Sequence, residues 1–208
     1  MIIAIDGASS DLSLAVAEAD GTRLGDDAWS SAQRQSAELL PRLLALLDRL
    51  GRSLRETTVV GVGTGPGSYT GLRVAMALAK GMAVGLRVPI VGIPSLEAWL
   101  DADPEAAAAV ARAGARDAYL LERGQPEARI VDREELPVDA AVVAAEELAT
   151  AFGLDAASRP RGATAIAARA AGRIAADPAG DDLRTLEPIY LRAPRGVPAE
   201  SGERVRWL

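Results

Sequence analysis

The chain has 208 residues, a net charge of −6 and a pI near 4.9; 49% of its residues are apolar but only 3% are aromatic. That apolar content excludes global disorder and suits one large domain or two small ones with cores of small side chains, while the acidic balance opposes a lone nucleic-acid binder, which needs clustered Lys and Arg. Cysteine and histidine are both absent, which excludes disulfides, thiolate catalysis, Cys- or His-ligated zinc and the commonest general base.

The opening "MIIAIDGASS" lacks the basic start and long apolar run of a secretory signal. No apolar stretch approaches the roughly 20 residues of a membrane span. The expectation is a soluble cytoplasmic protein with no membrane contact. Residues 1–6 form a β-branched run ending in Asp6 and predict a buried strand. "GASS" turns the chain, and "DLSLAVAEAD" alternates as a second strand. "DGT" at 20–22 is a hairpin signal leading into a third strand over Leu24–Trp29.

In "SAQRQSAELLPRLLALLDRLG", Leu39, Leu40, Leu43, Leu44, Leu46, Leu47 and Leu50 recur at helical spacing. Ser36 is the expected N-cap, Gly51 the terminator, and Pro41 a kink or a first-turn residue. "TTVVGVGTG" predicts a fourth, buried strand, residues 70–86 a second helix, "RVPIVGIP" a fifth strand, and Ser95 the start of a third helix. The order β-β-β-α-β-α-β-α is the half-domain order of the ribonuclease-H-like fold, found twice in the actin, sugar-kinase and Hsp70 group with the halves facing each other. A boundary is expected near Asp101–Pro104. The second half reads as a reduced copy: an alanine-rich helical turn after residue 104, strands at Ala118–Leu121 and Ala128–Val131, a helix or strand-to-helix passage in "AVVAAEELATAFG", and a helix whose Ile166, Ala170 and Ile174 lie four apart. "LEPIYLRAPRGVPAE" is extended and proline-punctuated, and no internal repeat is visible.

"VGVGTGPGSYTGLRVAMALAKGMAVG" at 60–85 runs a glycine-rich turn into a helix, a pattern associated with phosphate binding. The P-loop requirement fails, because Gly71 is followed by Leu72-Arg73, and Thr70 stands where a dinucleotide fingerprint needs its third glycine. A weak anion site at the helix N-terminus stays open. The competing reading is structural: Gly65, Gly67 and Gly71 permit close backbone approach, Pro66 stiffens the turn, and Ser68 or Thr70 caps the helix. The helix is apolar or small almost all round, with Arg73 and Lys80 its strongly polar positions, and the leucine helix has a similar excess. A helix covering one sheet face needs one apolar stripe. Either both helices bury two faces within the chain, or their second faces meet another subunit; Leu39, Leu43, Leu47, Arg73, Met76, Lys80 and Ala83 are the candidate partner-facing positions.

The stretches "AIDGASSDLSLAV" (4–16), "SAELLPRLLALL" (36–47), "GVGTGPGSYTGLRVAMALAKGMA" (61–83), "VPIVGIPSLEA" (88–98) and "EPIYLR" (187–192) together resemble the TsaB, or YeaZ, family. The resemblance is dense over residues 1–100, thin between 104 and 186, and returns at the end. The chain departs from the family pattern at Gly7, usually Thr, at Gln35, often His, and in "AGARDAY" at 113–119. The resemblance implies two actin-like (ASKHA) ribonuclease-H-like domains, 1–102 and 103–208, the second reduced. It also implies a non-catalytic subunit without a cofactor that pairs with the metal-bearing transferase TsaD through its N-terminal-domain helices. TsaE would dock on the pair, which places N6-threonylcarbamoyladenosine at position 37 of tRNAs reading A-starting codons. Such a chain would reach tRNA only through the complex, and the sequence leaves both a monomer and a homodimer open for the free chain. Two other classes compete: an actin-fold ATP-dependent enzyme using Asp6 in an interdomain cleft, and a tRNA-binding module using Arg192, Arg195, Arg204 and Arg206.

Overall fold

The computed structural model describes residues 1–31, 34–154 and 157–191. The four C-terminal arginines of the tRNA-module reading lie outside the described residues. The first half builds a five-stranded sheet from β1 (Ile2–Asp6), β2 (Asp11–Ala17), β3 (Arg23–Ser30), β4 (Val59–Gly63) and β5 (Ile90–Ile93), in the order β3-β2-β1-β4-β5. The first three strands form an antiparallel meander, and β4 and β5 run parallel to β1. Strand β1 is apolar at successive positions because both its faces are covered. Ile3 and Ile5 pack under α1 (Gln35–Arg49) and α2 (Tyr69–Leu86), whereas Ile2 and Ala4 pack against α5 (Gly162–Ala176). The α5 contact is made of small side chains: Ile166 and Ala170 of the helix lie over Gly61, where an added Cβ would stand 3.0 Å from Ile166 Cγ2.

The second half repeats this arrangement. Strands β6 (Ala108–Arg112), β7 (Asp117–Glu122), β8 (Arg129–Asp132), β9 (Val142–Ala144) and β10 (Ala157–Ser158) follow the order β10-β9-β6-β7-β8, with the same antiparallel and parallel pairings. A 3-10 turn, Arg133–Glu135, stands where the first half has α1, and α4 (Glu146–Phe152) joins β9 to β10. The repeat missing from the sequence is therefore present in the topology. Helix α3 (Ser95–Ala102) links the halves: its Leu96, Trp99 and Leu100 share a core with Ala109, Ala111, Tyr119 and Val143 of the second sheet.

Three local expectations are corrected. The alanines after residue 104 form strand β6, not a helical turn. That strand lies centrally in its sheet, buried at Ala108–Ala111, and paired neighbours on both sides override the helix preference of alanine. Ser36 is no cap, because α1 begins one residue earlier, with Arg34 at its N-cap position and no capping side chain. Thr70 lies inside α2, whose cap is Ser68. Gly51 follows α1 with φ +64°, a left-handed conformation that glycine adopts without steric cost.

The open edge of β5 is closed by the segment after α5. Asp181 N–H donates to Ile90 O (2.8 Å), Gly92 N–H donates to Asp181 Oδ2 (2.7 Å), and Arg173 bridges Gly92 O and the Asp181 carboxylate. An acidic side chain thus substitutes for a sixth strand and removes a pairing edge. Among the described residues no helix is long and apolar enough to cross a membrane.

Candidate functional site

The glycine turn is filled by the chain's own backbone. A Cβ on Gly67 would stand 2.0 Å from Ala8 O, one on Gly71 2.2 Å from Gly7 O, and one on Gly7 2.5 Å from Gly71 O. The loop after β1 and the first turn of α2 therefore touch main chain to main chain. Ser68 N–H donates to Ala8 O (2.7 Å), and Ser68 Oγ accepts from Gly71 N–H (3.2 Å). Gly65 takes φ +87°, and the Gly65–Pro66 peptide is cis. Gly65, Pro66, Gly67, Ser68 and Gly71 together set the position and direction of α2 on the sheet.

The two helices present one buried and one open face. Leu39, Leu43, Leu47, Met76 and Ala83 all lie in the core above the sheet, with Leu43 fully buried. Their expected partner-facing rotation is thus corrected: these positions are taken up by the strands beneath. Arg73 is exposed, with its guanidinium over the Tyr69 ring (4.9 Å), and Lys80 is half-buried. The outward face instead carries Leu40 and Leu44 on α1, and Ala77, Gly81, Val84 and Gly85 on α2. Leu44 is 47% and Val84 64% exposed. Among the described residues no atom lies within 4 Å of a Cβ built at Gly81 or Gly85, so neither glycine packs against any of them. The missed residues had a signal: Leu40 and Leu44 follow Leu39 and Leu43 by one position, a second stripe rotated about 100° from the first.

Between the halves lies a cleft of about 1070 Å³, lined from one side by Ser9, Ser10, Gln35 and the start of α2, and from the other by residues 110–115, Tyr119 and Glu147. Tyr190 stands at its margin, with its ring 5.5 Å from that of Tyr69. Glu147 is paired with Arg112 (3.2 Å).

Asp6 does not line this cleft. It is 2% exposed and enclosed between the end of β1, α3 and the start of α5. Trp99 Nε1 donates to Oδ2 (2.5 Å), while Ser95 Oγ (2.9 Å) and Ala8 N–H (3.2 Å) donate to Oδ1. Ser95 Oγ in turn accepts from Gly65 N–H (3.0 Å). Side chains at Gly63 or Gly162 would collide with the carboxylate, their Cβ atoms falling 2.3 and 2.6 Å from its oxygens. Burial raises the Asp6 pKa, opposed by the bonds from Trp99, Ser95 and the Ala8 and Gly7 amides. The reading of Asp6 as a water- or metal-orienting carboxylate in an open cleft is corrected on this geometry: Asp6 ties β1, α3 and the glycine turn together.

A family model described as "TsaD: tRNA N6-adenosine threonylcarbamoyltransferase" matches residues 30–175. The chain is 33% identical over 95 residues to the tRNA threonylcarbamoyladenosine biosynthesis protein TsaB of Escherichia coli, a match covering 46% of this chain and only 40% of that relative. It is 30% identical over 205 residues to the uncharacterized protein Rv3421c of Mycobacterium tuberculosis, covering 95% of this chain and 94% of that protein. YeaZ from Pseudomonas aeruginosa has the same fold, with a TM-score of 0.68 at 21% identity over 91% of this chain and 99% of that one. The matched family model, the near-complete alignment to the mycobacterial relative, the TsaB similarity and the shared YeaZ fold lead to one assignment: the chain belongs to the TsaB/YeaZ family.

Proposed function

We propose that this chain is an accessory subunit in the synthesis of N6-threonylcarbamoyladenosine on tRNA, docking a TsaD-type transferase through the outward face of α1 and α2. The observation that carries this reading is the composition of that face. Two glycines within a helix cost about 1 kcal/mol each relative to alanine, and no described residue approaches Gly81 or Gly85 closely enough to compensate. Exposed Leu40, Leu44 and Val84 flank a stretch of nearly bare backbone. Such a surface suits a second helical layer approaching closely, with small residues at the contact and apolar side chains at its rim. The family relationship supplies the partner. We read the two halves as ribonuclease-H-like domains facing across the cleft, divided near residue 102, with α5 returning to the first sheet.

In this reading the chain is not itself a catalyst. Its strand-end carboxylate, Asp6, is held by Trp99 and Ser95, and the chain has no histidine or cysteine to act in its place. TsaE joins the assembled pair, and tRNA is reached through the complex. The free chain uses the same face to form a homodimer that competes with the partner. Light scattering of the chain mixed with the TsaD-type protein of its own organism tests this: a one-to-one complex that displaces the homodimer is expected. Two species that stay separate at micromolar concentration refute the reading.

A further inference from the structure

Given the docking of a TsaD-type protein on α1 and α2, as proposed above, we infer that the partner meets α2 with a helix bearing carboxylates one heptad apart. The 18 residues of α2 include no Asp or Glu. Its charged residues are Arg73 and Lys80, and Arg87 follows as the C-cap. These three cations stand seven residues apart in the sequence. Seven residues rise about 10.5 Å and complete two turns less about 20°, so the cations follow one side of the helix in a nearly straight row. Arg73 and Arg87 are exposed and Lys80 is half-buried. Beside the row lie Ala77, Gly81, Val84 and Gly85, the small residues of the docking face. A close seam flanked by charges of one sign selects the helix that can face it.

The rest of the chain does not neutralise this row. Lys80 and Arg87 form no ion pair among the described residues. Glu38 on the neighbouring α1 accepts from Trp29 Nε1 (2.9 Å). Asp48, the other carboxylate of α1, is exposed and pairs with neither of them. Asp181 lines a small pocket together with Arg87 but is held by Arg173 and the Gly92 N–H. The helix macrodipole favours a cation at the C-terminal end, which accounts for Arg87 but not for Lys80 at mid-helix or Arg73 in the second turn.

Lys80 is also the only lysine among the 23 basic residues of the chain. Beside a close helix contact, its narrow stem lies along the surface and carries a compact charge to the rim, where the planar guanidinium fork of arginine takes more room. A second copy of the chain brings no carboxylate on its own α2. The row therefore favours a different, acid-bearing partner over self-association, because like charges across a contact cost binding energy.

Calorimetric titration against the TsaD-type partner at about 50 and about 500 mM NaCl tests this. Affinity should fall about tenfold over that range, as the ion pairs at the rim are screened. Lys80→Gln combined with Arg87→Asn should weaken binding about fivefold at the lower salt and little at the higher. Asparagine tolerates the left-handed conformation at position 87, where φ is +58°, and melting of the free variant verifies that it is folded. Lys80→Glu should weaken low-salt binding about tenfold and remove most of the salt dependence. Arg116→Glu, the same change of charge between β6 and β7, should alter neither. Light scattering of the free chain should show self-association strengthening as salt rises. An affinity independent of salt, an equal loss from Arg116→Glu, or self-association that weakens with salt would each overturn the acidic partner. If Leu44→Glu abolishes the complex while the salt series is flat, docking on this face stands and the acidic partner does not; if no complex forms at either salt, both fall.

Discussion

Replacing Gly81 and Gly85 by alanine separates the needs of the free chain from those of the docked one. Both residues lie in α2, and a Cβ at either meets no atom of the described residues within 4 Å. Alanine at an interior, exposed helical position stabilises by about 0.8–1 kcal/mol over glycine. Gly85, in the last turn, gains less, so the pair should add about 1.5 kcal/mol. For a chain of this size that corresponds to a rise of roughly 3–6 °C in melting temperature. Docking should respond in the opposite direction. Two methyl groups pushed into a close helix contact cost about 1–3 kcal/mol of overpacking, or roughly five- to a hundredfold in affinity. Calorimetric unfolding of the free variant and titration against the TsaD-type partner measure the two effects separately. A variant that is more stable and binds as tightly as the parent would refute close packing on this face, and with it the argument from the uncompensated glycines.

Three further outcomes follow from neighbouring geometry. Leu44→Glu should leave the free chain within about 1 kcal/mol of the parent yet weaken partner binding about 10²-fold or more by burying an unpaired charge, whereas Leu43→Ala should cost the free chain about 2–5 kcal/mol in urea unfolding; equal effects of the two on free-chain stability would show that the helix rotation is misassigned. Gly67→Ala should destabilise the free chain by roughly 2–4 kcal/mol, because its Cβ meets Ala8 O at 2.0 Å and backbone must move; an unaltered urea midpoint would mean the turn is not packed as described. The buried Asp6 carboxyl has a folded pKa raised above its ordinary 3.8, so between these values the native state holds more protons than the unfolded one and stability falls as pH rises. Urea midpoints of parent and Asp6→Asn across pH 3–8 should therefore diverge in the variant's favour as pH increases through that window; divergence in the other direction would mean that hydrogen bonding outweighs burial.

The first half of the fold was legible because its patterns are local. Alternation in residues 11–17, the Asp-Gly turn before β3 and the continuous apolar runs of β1 and β4 each report how a strand is covered, and the β-β-β-α-β-α-β order follows from them. At the Gly-Pro-Gly turn the missing P-loop lysine left close backbone approach and a weak anion site both open, and the contacts of Gly67 with Ala8 and of Gly71 with Gly7 establish the close approach. The second half was harder to read because alanine at 106–111 favours a helix in isolation; only the flanking strands β7 and β9 make it β6. Helix rotation was undecidable for a similar reason. Leu39, Leu40, Leu43 and Leu44 form two adjacent stripes of equal hydrophobicity, and which one faces the sheet depends on where β2, β4 and α2 lie. Asp6 stood at a strand end, a position equally suited to a cleft or to a core. Trp99, Ser95 and the glycines at 63 and 162, distant in sequence, decide that it is enclosed, because a carboxylate is sheltered from water only by neighbours that the chain assembles in three dimensions.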